Sequence, residues 1–169
     1  QVGSAKDSFA FKVMHSGDTL FVAAQVIDDH LVRQNSVGGS LWRDDGVEIW
    51  IDSLNDADYF SNLPNNPGCY QFNIAPALKD GPADQVVYRN PTWNDRSMPE
   101  VIAQSHIQPN GYTLEVKIPL SALRGSAVPK NPELIGFNIS VCDSDPVNGS
   151  NEWRHLLWQG THEWDAEEW

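Results

Sequence analysis

The stretch G-V-E-I-W-I-D, residues 46–52, decides how the rest of the chain is read. Val47, Ile49 and Ile51 fall on one side of an extended segment, while Glu48, Trp50 and Asp52 fall on the other. A period of two is the signature of a β-strand with one face on a core, because successive side chains point to opposite faces. The same alternation recurs outward in both directions. In T-L-F-V-A-A-Q-V-I-D (19–28), Leu20, Val22, Ala24 and Val26 share a face. In C-Y-Q-F-N-I-A (69–75), Tyr70, Phe72 and Ile74 oppose Gln71 and Asn73. In Y-T-L-E-V-K-I-P (112–119), Leu114, Val116 and Ile118 oppose Thr113, Glu115 and Lys117. In L-I-G-F-N-I-S-V-C-D (134–143), Ile135, Phe137, Ile139 and Val141 oppose Asn138, Ser140 and Cys142. Each predicts a half-buried antiparallel strand.

Turn signals separate these segments: H-S-G-D, N-L-P-N-N-P-G, K-D-G-P-A-D, P-N-G and D-P-V-N-G-S-N. The one helical turn is P-L-S-A-L (119–123), where proline suits a helix start. Many short strands joined by such turns predict an all-β fold, an antiparallel β-sandwich or jelly roll with one short helical turn. The 169 residues fit a single domain, 1–169, without repeats or a long linker. The first strand starts near Phe9, and no closing strand follows the last loop, so either one edge of the sandwich reads as incomplete or the tail packs irregularly.

Charge narrows the partners. Eleven Lys and Arg against 23 Asp and Glu leave a net charge of −12, which opposes binding to nucleic acid or an anionic membrane. Neutral ligands such as sugars, and cations, remain compatible. No apolar run approaches the roughly 18 residues of a membrane span. The opening Q-V-G-S-A-K-D-S-F-A-F has neither the charged nor the apolar region of a signal peptide. Cys69 and Cys142 lack zinc-ligand spacing; they read either as one disulfide or as two thiols in half-buried strands. Asn138 and Asn148 begin glycosylation sequons.

Three groups of residues carry chemistry. If strands 46–52 and 69–75 are neighbours, Glu48, Gln71 and Asn73 project from one side. A carboxylate beside two amides offers the donors and acceptors that sugar hydroxyls need; the plain alternative is a polar sheet face bonded across strands. Trp42 and Trp164 sit in loops among charged residues, where they either stack on the two faces of a pyranose or plug the ends of the sandwich. Asp28 and Asp29 end one strand, and Asp143, Asp145, Asn148 and Glu152 cluster in a later segment. Such hard oxygen ligands suit Ca²⁺, with Asp143 and Asp145 leading and Asp28 and Asp29 next. A turn capping its own backbone explains them equally well. Catalysis is not indicated. Asp44, Asp45, Glu48 and Asp52 lie close in sequence, yet nothing separates an acid from a nucleophile, the five histidines are scattered, and no G-x-S-x-G, H-E-x-x-H or P-loop occurs.

The ordered series W-R-D-D-G-V-E-I-W-I-D, Y-Q-F-N, G-Y-T-L-E-V-K-I-P and I-G-F-N-I-S-V-C-D-S-D, closed by L-L-W-Q-G, resembles the family 9 carbohydrate-binding modules and their DOMON-like relatives. The resemblance runs from about residue 9 to 164. It implies a non-catalytic β-sandwich, often with structural Ca²⁺, covalently joined to a secreted polysaccharide-degrading enzyme and directed to a glucan or xylan. It also assigns Trp42 and Trp164 as a clamp on the terminal sugar, and Glu48 and Gln71 as hydrogen-bonding partners. Asn73 stands where the sugar-binding members carry arginine, whose rigid fork of donors an amide does not reproduce. Haem-binding DOMON relatives use a Met/His pair, for which Met14 or Met98 with His106 or His155 would serve here. A sandwich without its own ligand is the third reading.

Overall fold

The structure, a computed structural model, describes residues 2–3, 7–33, 38–55, 68–77, 81–89, 94–96, 98–124, 134–147 and 150–160. Its strands are β1 (Val2–Gly3), β2 (Ser8–Ser16), β3 (Thr19–Ile27), β4 (Gly46–Asp52), β5 (Cys69–Ala75), β6 (Gly81–Pro82), β7 (Asp84–Arg89), β8 (Asn94–Arg96), β9 (Ile102–Gln108), β10 (Gly111–Pro119), β11 (Gly136–Val147) and β12 (Ser150–Leu157). A 3₁₀ segment, Gly38–Arg43, precedes β4, and the single α-helix among the described residues is α1 (Leu120–Arg124).

The strands form two antiparallel sheets of six. The first runs β1-β2-β3-β10-β9-β6 and the second β12-β11-β4-β5-β7-β8. The all-β sandwich expected from the alternation is the fold observed. Register follows the apolar faces. Leu20 pairs with Ile118, Val22 with Val116 and Ala24 with Leu114 in the first sheet. In the second, Ile49 lies between Phe72 and Ile139. All of these belong to one core between the sheets. A slip of one residue would turn every one of them outward, so the core itself holds the register.

Two contacts tie the helical turn to the sandwich. Asp18, in the β2–β3 turn, accepts from Leu120 N through its backbone carbonyl at 2.8 Å and from Ser121 N through Oδ2 at 2.9 Å. These bonds satisfy donors that a helix start leaves without partners. Tyr70 then donates its hydroxyl to Leu123 O at 2.7 Å.

In one respect the strands depart from the sequence pattern. β4 and β5 are buried along their whole length, on both faces, where alternation predicted one wet face. The 3₁₀ segment packs across β4, β5, β7 and β11, with Leu41 buried against Ala75 in a small second apolar cluster. The polar side of the second sheet is therefore an interior layer, and Trp50 on it is only 1% exposed.

Candidate functional site

The pairing of β4 with β5 and β11 assembles the polar layer. Glu48 lies opposite Asn73 on one side and Ser140 on the other, while Trp50 lies opposite Gln71 and Asn138. Glu48, Gln71 and Asn73 thus share one side, as the alternation implied. Gln71 Nε2 donates to Glu48 Oε1 at 3.0 Å, and Ser140 Oγ donates to Glu48 Oε2 at 3.4 Å. Gln71 Oε1, Asn73 Oδ1 and Asn73 Nδ2 are buried without a hydrogen-bond partner. A buried polar atom left in that state costs about 1–3 kcal/mol. Amide groups so placed are ready to bond a hydroxyl-rich ligand.

Trp42 lies on the 3₁₀ segment that packs across this sheet; it is half-buried, and the Arg43 guanidinium lies 4.9 Å from the centroid of its ring. That contact is a cation–π interaction and leaves Arg43 beside the tryptophan. Trp164, the second wall of the expected clamp, lies outside the described residues, as does Asn148. Asp52 does not join Glu48. Its Oδ1 accepts from Leu54 N and Asn55 N at 3.0 and 2.9 Å and so caps its own turn. Asn138 is fully buried, and its amide donates to Gln159 O at 3.1 Å. Its sequon is therefore closed to glycosylation in the folded protein.

A second cluster lies at one end of the sandwich. Ligand oxygens of Asp28, Asp45 and Asp143 lie within 4.8 Å of one another, and so do those of Asp7, Asp143 and Asp145. Asp28 follows β3, Asp45 precedes β4, and Asp143 and Asp145 stand on β11. Backbone donors fix part of the set. Ser144 N donates to Asp45 Oδ1 at 2.6 Å, Val32 N donates to Asp45 Oδ2, and His30 N donates to Asp28 Oδ1 at 2.6 Å. Asp143 is 4% exposed, and its Oδ1, like that of Asp145, has no hydrogen-bond partner.

Electrostatics mark the same place. Burial, opposed by backbone hydrogen bonds and reinforced by the charge of Asp28, pushes Asp45 up to about 8. Burial and then the charges of Asp7 and Asp145 push Asp143 to about 6. Asp28 is raised, chiefly by burial. The Tyr112 hydroxyl, fully buried and without a partner, is driven well above its usual range by burial and then by Asp45 and Asp28. Carboxylates crowded in a dry site resist ionising together unless a cation joins them.

Of the acids singled out in the sequence, Asp28, Asp143 and Asp145 meet here. Asp29 stands at the solvent side, with Oδ1 3.2 Å from His30 Nδ1. Asp45, which the sequence offered only as one of four acids close together around Glu48, is a full member. Its neighbour Asp44 does hold the turn, with Arg33 Nε 3.4 Å from its Oδ2 and its own N–H donating to Leu41 O at 3.0 Å. The haem pairing finds no support for Met14 with His106. Both face outward from the first sheet, but β3 and β10 separate their strands, and at about 4.8 Å per strand they are too far apart to hold one iron.

The profile described as "Carbohydrate family 9 binding domain-like" matches residues 2–168. The chain belongs to that family. The family 9 module is also similar to solved structures. A family 9 carbohydrate-binding module from Caldicellulosiruptor kristjanssonii, solved in complex with cellotriose, superposes with a TM-score of 0.69 at 19% identity, over 98% of this chain and 72% of that one. Its complex with glucose gives the same score and identity, over 73% of the matched chain. A carbohydrate-binding candidate from Bacteroides uniformis superposes at 0.62 with 15% identity, over 96% of this chain and 76% of that one. Among curated protein sequences, none matches.

Two sets of residues in the module escaped the sequence reading. Asp45 and Asp7 join the acidic cluster only because the fold brings the starts of β2 and β4 beside β11. His155 stands opposite Cys142 across β11 and β12, with Cys142 Sγ 3.4 Å from His155 Nε2. Alternation in the late segment contained that signal, since Cys142 shares the polar face of Ser140, but β12 was not recognised as a strand. Both cysteines are buried thiols rather than halves of a disulfide.

Proposed function

We propose that this family 9 module is a non-catalytic carbohydrate-binding domain that takes neutral gluco- or xylo-oligosaccharides on the outer layer of its second sheet. The observation that carries the reading is the buried trio Glu48, Gln71 and Asn73. It pairs a carboxylate acceptor with amide atoms that have no partner, beneath a 3₁₀ segment bearing Trp42. A sugar hydroxyl donates and accepts at once, which fits Glu48 and the two amides. Trp42 would cover the apolar face of the ring, with Trp164 as the opposing wall. Because Gln71 and Asn73 are nearly inaccessible, the sugar displaces part of the layer above them, and association is slower than onto an open platform. Glucose and cellotriose, the ligands of the similar structures, are the first sugars to try.

The module's role would be to hold a covalently linked, secreted polysaccharide-active enzyme near its substrate, raising effective concentration through the tether. Ca²⁺ at Asp28, Asp45, Asp143 and Asp145, with Asp7 alongside, would be structural. It would neutralise the clustered charge and join the β3 end, the β4 start and β11, without touching the sugar. The unpartnered, buried Asp143 Oδ1 supports this donor set.

Calorimetric titration with glucose, cellotriose and xylo-oligosaccharides tests the reading. Wild-type protein binds at least one of them. Glu48→Gln keeps the shape but loses a charged acceptor worth about 1.5–3 kcal/mol, so affinity falls roughly 10- to 100-fold. No heat with any neutral sugar, or equal affinity for the variant, would reject it.

A further inference from the structure

The outer layer of the second sheet holds a group of softer ligands beside the sugar residues. A Glu48 carboxylate oxygen, Cys142 Sγ and His155 Nε2 lie within 4.8 Å of one another. They come from three adjacent strands, β4, β11 and β12, in the registers Glu48–Ser140 and Cys142–His155. We propose that these three side chains form a binding site for Zn²⁺ or a similar borderline-soft divalent ion, distinct from the all-oxygen acidic cluster.

The geometry fits the ion. Zn–S bonds of about 2.3 Å and Zn–N bonds of about 2.0–2.1 Å, at the tetrahedral angle, put sulfur and nitrogen about 3.5 Å apart. Cys142 Sγ and His155 Nε2 are 3.4 Å apart. The carboxylate need move only one oxygen toward the pair. Gln71 and Ser140 bond its two oxygens and supply the outer contacts that orient a metal ligand. Three protein ligands leave one tetrahedral position for water or another donor.

Ligand chemistry separates the two cation sites. Thiolate and imidazole select Zn²⁺ and Co²⁺ over Ca²⁺, whereas an all-carboxylate set selects the hard ion. Glu48 is shared with the proposed sugar site, so a loaded metal withdraws an acceptor from the sugar. The metal proposal itself does not rest on sugar binding.

Co²⁺ titration of protein stripped of metal and then saturated with Ca²⁺ tests the site without sugar present. One equivalent of Co²⁺ should produce the near-ultraviolet thiolate charge-transfer band and the visible bands of a tetrahedral ion, which Zn²⁺ then abolishes. Cys142→Ser removes the thiolate band, while Cys69→Ser, changing the other buried thiol, leaves it intact. His155→Ala, at a half-buried edge-strand position that should keep the fold if Cys142→Ser does not, weakens Co²⁺ binding on the order of 100-fold or more. A titration without a thiolate band means that the pair is only an S–H to imidazole hydrogen bond. That result, or a band that survives His155→Ala at full affinity or is lost in Cys69→Ser, overturns the proposal.

Discussion

Replacing Asp143 with asparagine removes one charge from the Asp28–Asp45–Asp143 cluster and keeps the side chain's size. Two opposed effects should follow. Without metal at pH 8, above the value of about 6 to which its surroundings push it, Asp143 is ionised against Asp7, Asp145 and Asp28. The variant relieves that repulsion and should be more stable than wild type by on the order of 1 kcal/mol, allowing for solvent screening. With Ca²⁺ the order reverses. An ion bound only to the folded state stabilises it by about 2.7 kcal/mol at a concentration 100 times Kd. A Kd of about 10⁻⁴ M, the tight end for extracellular modules, reaches that ratio near 10 mM Ca²⁺. For a domain of this size, 1 kcal/mol moves Tm by about 2–4 °C, so wild type gains roughly 5–11 °C. The variant should gain only a small part of this. Scanning calorimetry at pH 8, with EDTA and with 10 mM Ca²⁺, reads all four values. Equal calcium gains in the two proteins, or none in wild type, would show that the cluster holds no such ion.

The metal-free protein should also respond to pH in a defined direction. A carboxyl whose folded pKa lies above its unfolded value contributes stability while protonated and loses it as pH rises through the folded value. Asp143 at about 6 and Asp45 at about 8 therefore make the EDTA-treated protein lose Tm from mildly acidic to mildly alkaline pH, and Ca²⁺ should flatten that fall; a metal-free Tm that rises over this range would contradict the assignment. Trp50 and Trp42 should separate cleanly. Trp50→Ala, at 1% exposure, should cost about 3–5 kcal/mol in chemical denaturation. Trp42→Ala, half-buried on the 3₁₀ segment, should leave most stability intact and cost about 1–3 kcal/mol of sugar affinity by calorimetry. The reverse pattern would remove Trp42 from the site.

The sandwich was legible because alternation is a local property that the core enforces. β4 and β5 begin and end where the apolar pattern does, Gly46–Asp52 and Cys69–Ala75. The alignment of Glu48 with Asn73 was legible for the same reason, once β4 and β5 were taken as neighbours. Burial of their polar face was not. It depends on the 3₁₀ segment folding back over the sheet, which G-G-S-L-W-R does not announce by any period. Trp50 was for that reason read as a residue of an accessible face, and it is an interior one. Asp45 was hidden in a different way. Its two backbone hydrogen bonds, from Val32 and Ser144, fix the local turn, and only the meeting of distant segments brings it beside Asp28 and Asp143. The Cys142–His155 pair required the register of β11 against β12, and no sequence motif encodes that register.

The central claim is that sugar is held at the Glu48–Gln71–Asn73 layer, and side-chain amide NMR reads that layer directly. In a titration of ¹⁵N-labelled protein with cellotriose, the Gln71 and Asn73 side-chain NH₂ resonances, assigned from Gln71→Ala and Asn73→Ala variants, should shift to a saturable end point together with the Trp42 indole. Trp158, exposed beside Phe11 at the far edge of the sandwich with ring centroids 5.2 Å apart, should stay still. Saturable binding that moves the Trp158 indole and leaves the Gln71 and Asn73 amides unchanged would contradict the account.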